Sequence, residues 1–213
     1  MKTKILTVLI AFLLSSTMRA DEKSFNEAMT QTLTQMQTAA SPEDFNSIAN
    51  QFERIAKVEQ NQWLPYYYAS YSSVIQSFMI KDPDKIDQIL DYADNMLNEA
   101  MKLKSDESEN YVLKGFIACA RIAVDPNTRG ADYSQDAISA IKKAQGLNPE
   151  NPRADYLMGI LTFHMPDFYG GGKAAAKPIL EGAMQKYEKF IPLSAIYPMW
   201  GKDDCKKQLD QCN

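Results

Sequence analysis

Apolar residues recur along this chain at helical spacing. Phe45, Ile48, Phe52, Ile55 and Ala56 form one stripe of a helix. The Ser41-Pro42-Glu43-Asp44 run ahead of them is a helix start, with serine as cap and proline in the first turn. Glu22 to Thr38 reads as an amphipathic helix before that start. Further on, the pattern predicts helix pairs over about 62–79 and 84–103, 108–124 and 133–146, and 152–165 and 173–190, with a short polar helix from about Asp203. No segment alternates with a period of two for long enough to claim a strand, so the predicted class is all-α.

Small residues punctuate these helices in phase. Ala93, Leu97 and Ala100 are followed by Tyr111 and Gly115; Ala137, Ile141, Ala144 and Pro149 are followed by Gly159; Ala176, Leu180 and Ala183 repeat the spacing. The step from the last alanine to the next glycine is 15 residues both times, Ala100 to Gly115 and Ala144 to Gly159. Glycine inside a helix costs roughly 1 kcal/mol relative to alanine, so a close helix contact is needed to favour it. The pattern resembles the tetratricopeptide repeat, a helix-turn-helix unit of about 34 residues. That resemblance implies a TPR-like right-handed solenoid of about three to four helix pairs, its repeats over about 45–190, closed by a C-terminal cap at about 191–213. Ile191, Ile196, Trp200 and Leu209 are the apolar residues available to cover the last repeat, with contact between Trp200 and a partner as the alternative.

The same template assigns a groove. Its concave positions fall on Trp63, Tyr66, Ser70, Ser73 and Val74, on Glu109, Val112, Phe116, Cys119 and Ala120, and on Arg153, Tyr156, Ile160, Phe163 and His164. Such an apolar, aromatic trough suits a peptide or protein partner, with Arg153 and Glu109 setting its polarity. The expected contacts are Trp63, Tyr66, Ser70, Glu109, Val112, Phe116, Arg153, Tyr156, Ile160, Phe163 and His164, unless the N-terminal helix fills the trough. Of the crowded Tyr66, Tyr67, Tyr68 and Tyr71, which point around the helix, Tyr68 belongs to the core.

Between the helices of a pair the template needs about 12 residues from small residue to small residue. The chain has 24 from Ala69 to Ala93, 22 from Gly115 to Ala137 and 17 from Gly159 to Ala176. Three enlarged loops on one rim are expected, marked by Asp82-Pro83, Asp125-Pro126 and Pro166-Asp167, unless the helices are simply longer and these pairs are punctuation. In the third loop, Gly170-Gly171-Gly172-Lys173 lacks the phosphate-loop pattern, so glycine there serves backbone geometry. With Phe168-Tyr169-Gly170-Gly171, residues 60–190 also resemble exported TPR proteins related to the T-component of TRAP transporters. That resemblance implies a periplasmic array associating with a solute-binding protein, although a lipid-anchoring cysteine is missing.

Residues 1–20 carry a basic start, Lys2 and Lys4, an apolar stretch from Ile5 to Leu14, and Ala20 before acidic Asp21-Glu22. The stretch falls short of the ~20 residues that span a bilayer, so a cleaved signal is expected, leaving residues 21–213 as a single soluble domain, periplasmic or secreted. Cleavage takes the formal net charge from −4 to −7, which disfavours nucleic acid and anionic membrane surfaces. Cys119, Cys205 and Cys212 leave at least one thiol unpaired; Cys205 and Cys212 can bridge only if the last helix ends before Cys212. One histidine and no paired cysteine motif argue against a metal site, and no nucleophile with an adjacent base argues for an enzyme. No cofactor is indicated.

Overall fold

The computed structural model describes residues 23–213. The predicted signal, residues 1–20, and the first residue of the predicted N-terminal helix, Glu22, lie outside the described residues. Those described are all-helical, with no strand among them. Helix α1 covers 23–38. It is followed by α2 (Pro42–Val58), α3 (Trp63–Ser77), α4 (Pro83–Leu103), α5 (Ser108–Val124), α6 (Pro126–Leu147), α7 (Pro152–His164), a short 3₁₀ turn (Asp167–Tyr169), α8 (Lys173–Lys189) and α9 (Lys202–Asp210).

One start signal recurs. At α2, Ser41 and Asp44 form a reciprocal capping box, the hydroxyl accepting from Asp44 N–H at 3.1 Å and the carboxylate from Ser41 N–H at 3.0 Å. At α4, α6 and α7 the cap is Asp82, Asp125 and Asn151, each followed by proline. Each side chain takes up an orphan backbone N–H of the first turn, and the proline sits where its missing N–H costs nothing. This grammar removes two of the three expected rim loops. The α5–α6 junction is Asp125 alone, and α6 extends back to Pro126. The extra residues between the small-residue positions lie mostly in longer helices. The third loop, 165–172, is a real loop, with Gly170 and Gly172 at φ 82° and 91°.

Successive helices pack as pairs, α3 on α4, α5 on α6 and α7 on α8, while α3 also meets α5 and α5 meets α7. The phased glycines sit where the pairs are tightest. A Cβ on Gly115 would lie 2.8 Å from Ile141 Cγ1, and one on Gly159 would lie 2.5 Å from Leu180 Cδ2. The facing groups are these branched side chains more than the alanines, since Ala137 offers Gly115 its carbonyl oxygen at 3.5 Å.

Both ends of the described residues, 23–213, pack back on the helix pairs. Phe25 and Met29 of α1 are buried in the same core cluster as Ile48, Phe52 and Leu90, beside α2. The C-terminal stretch divides in two. Helix α9 covers α8 through buried Cys205 and partly buried Leu209. Residues 190–201 instead cross the face made by α3, α5 and α7, where Ile196 joins the first core cluster and Trp200 packs on the second. Ile191, expected under the cap, is 83% exposed. Helix α9 ends before Cys212, yet all three cysteines are free thiols.

Candidate functional site

The α3/α5/α7 face carries an unusual number of rings. Trp200 lies nearly parallel to Tyr71, at 5.0 Å and 26°, and to Phe116, at 5.6 Å and 21°. Phe78, just past the end of α3, stacks on Phe116 at 5.6 Å and 29°. Offset rings at these separations attract one another beyond simple area burial. Phe78 remains 50% exposed and neighbouring Met79 40%, so the stack opens to water at that end. Further in, Tyr67 meets Trp63 edge-on at 5.6 Å, and its hydroxyl accepts from Trp200 Nε1 at 2.8 Å.

A buried ion pair lies beneath the rings. Arg153 donates from Nε to Glu109 Oε2 at 2.8 Å and from Nη2 to Oε1 at 2.7 Å, with both side chains sealed from solvent. Asn151 donates to the same Oε1 at 2.8 Å. Burial pushes the Glu109 carboxyl above the usual carboxylate range, against the pull of Arg153, while Glu109 holds the guanidinium firmly charged against its own burial. Burial likewise raises the phenols of Tyr67, Tyr71 and Tyr156 and pushes the Cys119 thiol up to about 12. Burial thus favours the neutral form of each of these groups. Among the described residues no group of three His, Cys, Asp or Glu side chains could hold a metal ion.

The eleven residues expected to line an open trough do not form one. Ser70, Glu109, Val112 and Arg153 are buried, at 0–1% exposure, so a partner docking on this structure does not reach them. The chain's own residues 190–201 cover this face, the role considered for the N-terminal helix. Trp63 is partly buried against Tyr67 and Tyr197, and Tyr66 packs against the first core cluster. Phe116 is in the ring stack. Tyr156 joins the second and third core clusters, and Ile160 is half-buried. Phe163 meets the exposed His164 ring edge-on at 5.1 Å. Tyr71, Phe78 and Tyr197 were not among the expected contacts. For Tyr197 the available signal was the apolar Ile196-Tyr197-Pro198-Met199-Trp200 run, which has no helical phase and must pack on something else.

This arrangement defines a helix-pair array that closes an aromatic face with its own C-terminal segment. No family model matches the chain, and no curated protein matches it. Among solved structures it is similar to the HusA haemophore from Porphyromonas gingivalis, with 30% identity and a TM-score of 0.80 over 88% of this chain and 92% of that one. At that identity and coverage the chain belongs to the same family as that haemophore.

Proposed function

We propose that the protein binds haem or a related tetrapyrrole at the aromatic face where Phe78, Phe116 and Trp200 meet. The observation that carries this reading is the set of near-parallel rings open to water at Phe78, a surface matched to a flat aromatic ligand. A relative that is a haemophore supports it. The array carrying the face is read as a TPR-like right-handed solenoid, exported through the signal in residues 1–20. No helix among the described residues is long and apolar enough to cross a membrane.

Haemin titration of the mature protein, followed by its Soret band, tests the reading. Saturable binding is expected. Phe78→Ala and Phe116→Ala should each weaken it about tenfold, equivalent to ~1.4 kcal/mol. Phe168→Ala, at a more exposed ring outside the stack, should leave it unchanged. Weak, non-saturable uptake that ignores all three substitutions contradicts the proposal. A second reading, a scaffold for a protein partner such as a solute-binding protein, is favoured by one observation: Phe168 and Tyr169, 79% and 71% exposed, stand in water on the 165–172 loop.

A further inference from the structure

Residues 190–201 have no regular helix and connect α8 to α9 across the aromatic face. Side-chain bonds from several helices hold their inner side. Tyr68 donates to the Ile196 carbonyl at 3.0 Å, Tyr197 to Glu107 at 2.9 Å, Trp200 to Tyr67 at 2.8 Å, and Tyr187 to the Trp200 carbonyl at 3.2 Å. The outer side is left in water: Ile191, Leu193 and Met199 are 83%, 78% and 57% exposed. Gly201, at φ 99°, supplies a backbone turn before α9 that other residues rarely adopt.

What lies under this segment is chemically incomplete. Arg153 Nη1 is buried without a hydrogen-bond acceptor, although the other edge of the guanidinium is fully paired with Glu109. The guanidinium carbon is 4.4 Å from the centre of the Phe190 ring and 6.0 Å from that of Trp200. Both rings belong to the segment. They offer the cation the faces of π systems, a weaker partner than a carboxylate. Withdrawing the segment uncovers the Tyr71 and Phe116 rings, on which Trp200 lies, together with a guanidinium that has an unused N–H edge.

We infer that residues 190–201 are a displaceable strap over an occluded seat for a planar aromatic carboxylate, whose ring replaces Trp200 on Tyr71 and Phe116 and whose carboxylate pairs with Arg153. The inference rests on the tetrapyrrole reading, because haem and free porphyrins carry propionate groups beside a flat ring. It goes further in giving the strap and the buried arginine separate tasks. The ring competes with Trp200, and the carboxylate supplies the acceptor that Arg153 Nη1 lacks.

The test uses the mature full-length chain, metal-free protoporphyrin IX and its dimethyl ester in the same detergent, with hydrogen exchange read by mass spectrometry. The free acid should bind at least tenfold more tightly than the ester. On binding, amides of 190–201 should exchange faster while those of α3 and α5 slow. Tyr197→Phe, which removes the bond to Glu107 but keeps the ring, should speed association several-fold. Equal affinity for acid and ester, or a strap that becomes more protected on binding, overturns the occluded seat while leaving tetrapyrrole binding intact. Failure of haemin and both porphyrins to bind overturns the reading of the site itself, and the seat with it.

Discussion

The two sides of the central helices handle positive charge in opposite ways. Under the strap, Arg153 is sealed with a single carboxylate and roofed by rings. On the α4/α6 side, Arg121 is shared among aspartates, 2.7 Å from Asp91 and 2.7 Å from Asp94, and Arg129 holds Asp87 at 2.6 and 2.8 Å. These aspartates are 35–69% exposed. A cleft of about 370 Å³ opens on that side, lined by Tyr111, Lys114, Arg121 and Tyr133 among others. The lesson is one of cost. Exposed pairs form and break cheaply in water, whereas a buried pair binds its neighbours to a fixed arrangement because neither partner can be removed alone. The strapped side is thus the specific one, and the aspartate-rich side is the tolerant one.

The largest expected effect follows directly. Arg153→Met should destabilise the fold by ~3–5 kcal/mol, because Glu109 is left buried and unpaired, while Arg153→Met with Glu109→Leu should recover much of that loss. Urea denaturation of both variants checks it; equal destabilisation by the single and double changes would remove the buried pair from its place in the comparison. Next come the close helix contacts. Gly115→Leu and Gly159→Leu should each cost ~1–3 kcal/mol, since Ile141 and Leu180 occupy the space a side chain needs. Lys142→Leu on the exposed surface is the control, and melting temperatures should separate the three.

Much of this architecture was legible in the sequence, and the exceptions share a cause. Helix ends at α3, α4, α5, α7 and α8 fall within a residue or two of those read from apolar phase, because caps and prolines are local signals. The early start of α6 was missed. Its first turns, Asn127-Thr128-Arg129-Gly130-Ala131-Asp132, are rich in poor helix formers, and Arg129 ties them to Asp87 on α4, a contact that local sequence does not display. The strap was hidden for the same reason. Its anchors bring Trp200 to Tyr67 and Tyr197 to Glu107 across much of the chain. The repeat pattern assigned Arg153, Glu109 and Phe116 to one open trough, but burial by another segment is outside what such a pattern encodes.

The smallest expected effects are on the aspartate-rich side. Arg121→Met should cost ~1 kcal/mol or less, and the loss should shrink with salt. Arg129 beside Asp87 holds that carboxyl below its ordinary value of 3.8. The native state therefore binds fewer protons there than the unfolded chain. This contribution is fully present above the ordinary value and is lost as pH falls through the lower native one. Asp87→Asn should accordingly lower stability by ~0.5 kcal/mol at neutral pH and flatten the acid limb of the stability curve. An acid limb unchanged in that variant would show the pair to be energetically idle.

The central claim, that the strapped aromatic face and not the charged cleft takes the ligand, is tested most directly by mapping metal-free protoporphyrin IX on the isotope-labelled protein by NMR. The Trp200 indole N–H, Phe116 and Phe78 should shift together at saturating ligand, while Tyr111 and Tyr133 stay in place. Shifts confined to Tyr111, Lys114 and Tyr133, with the Trp200 indole unmoved, would contradict it.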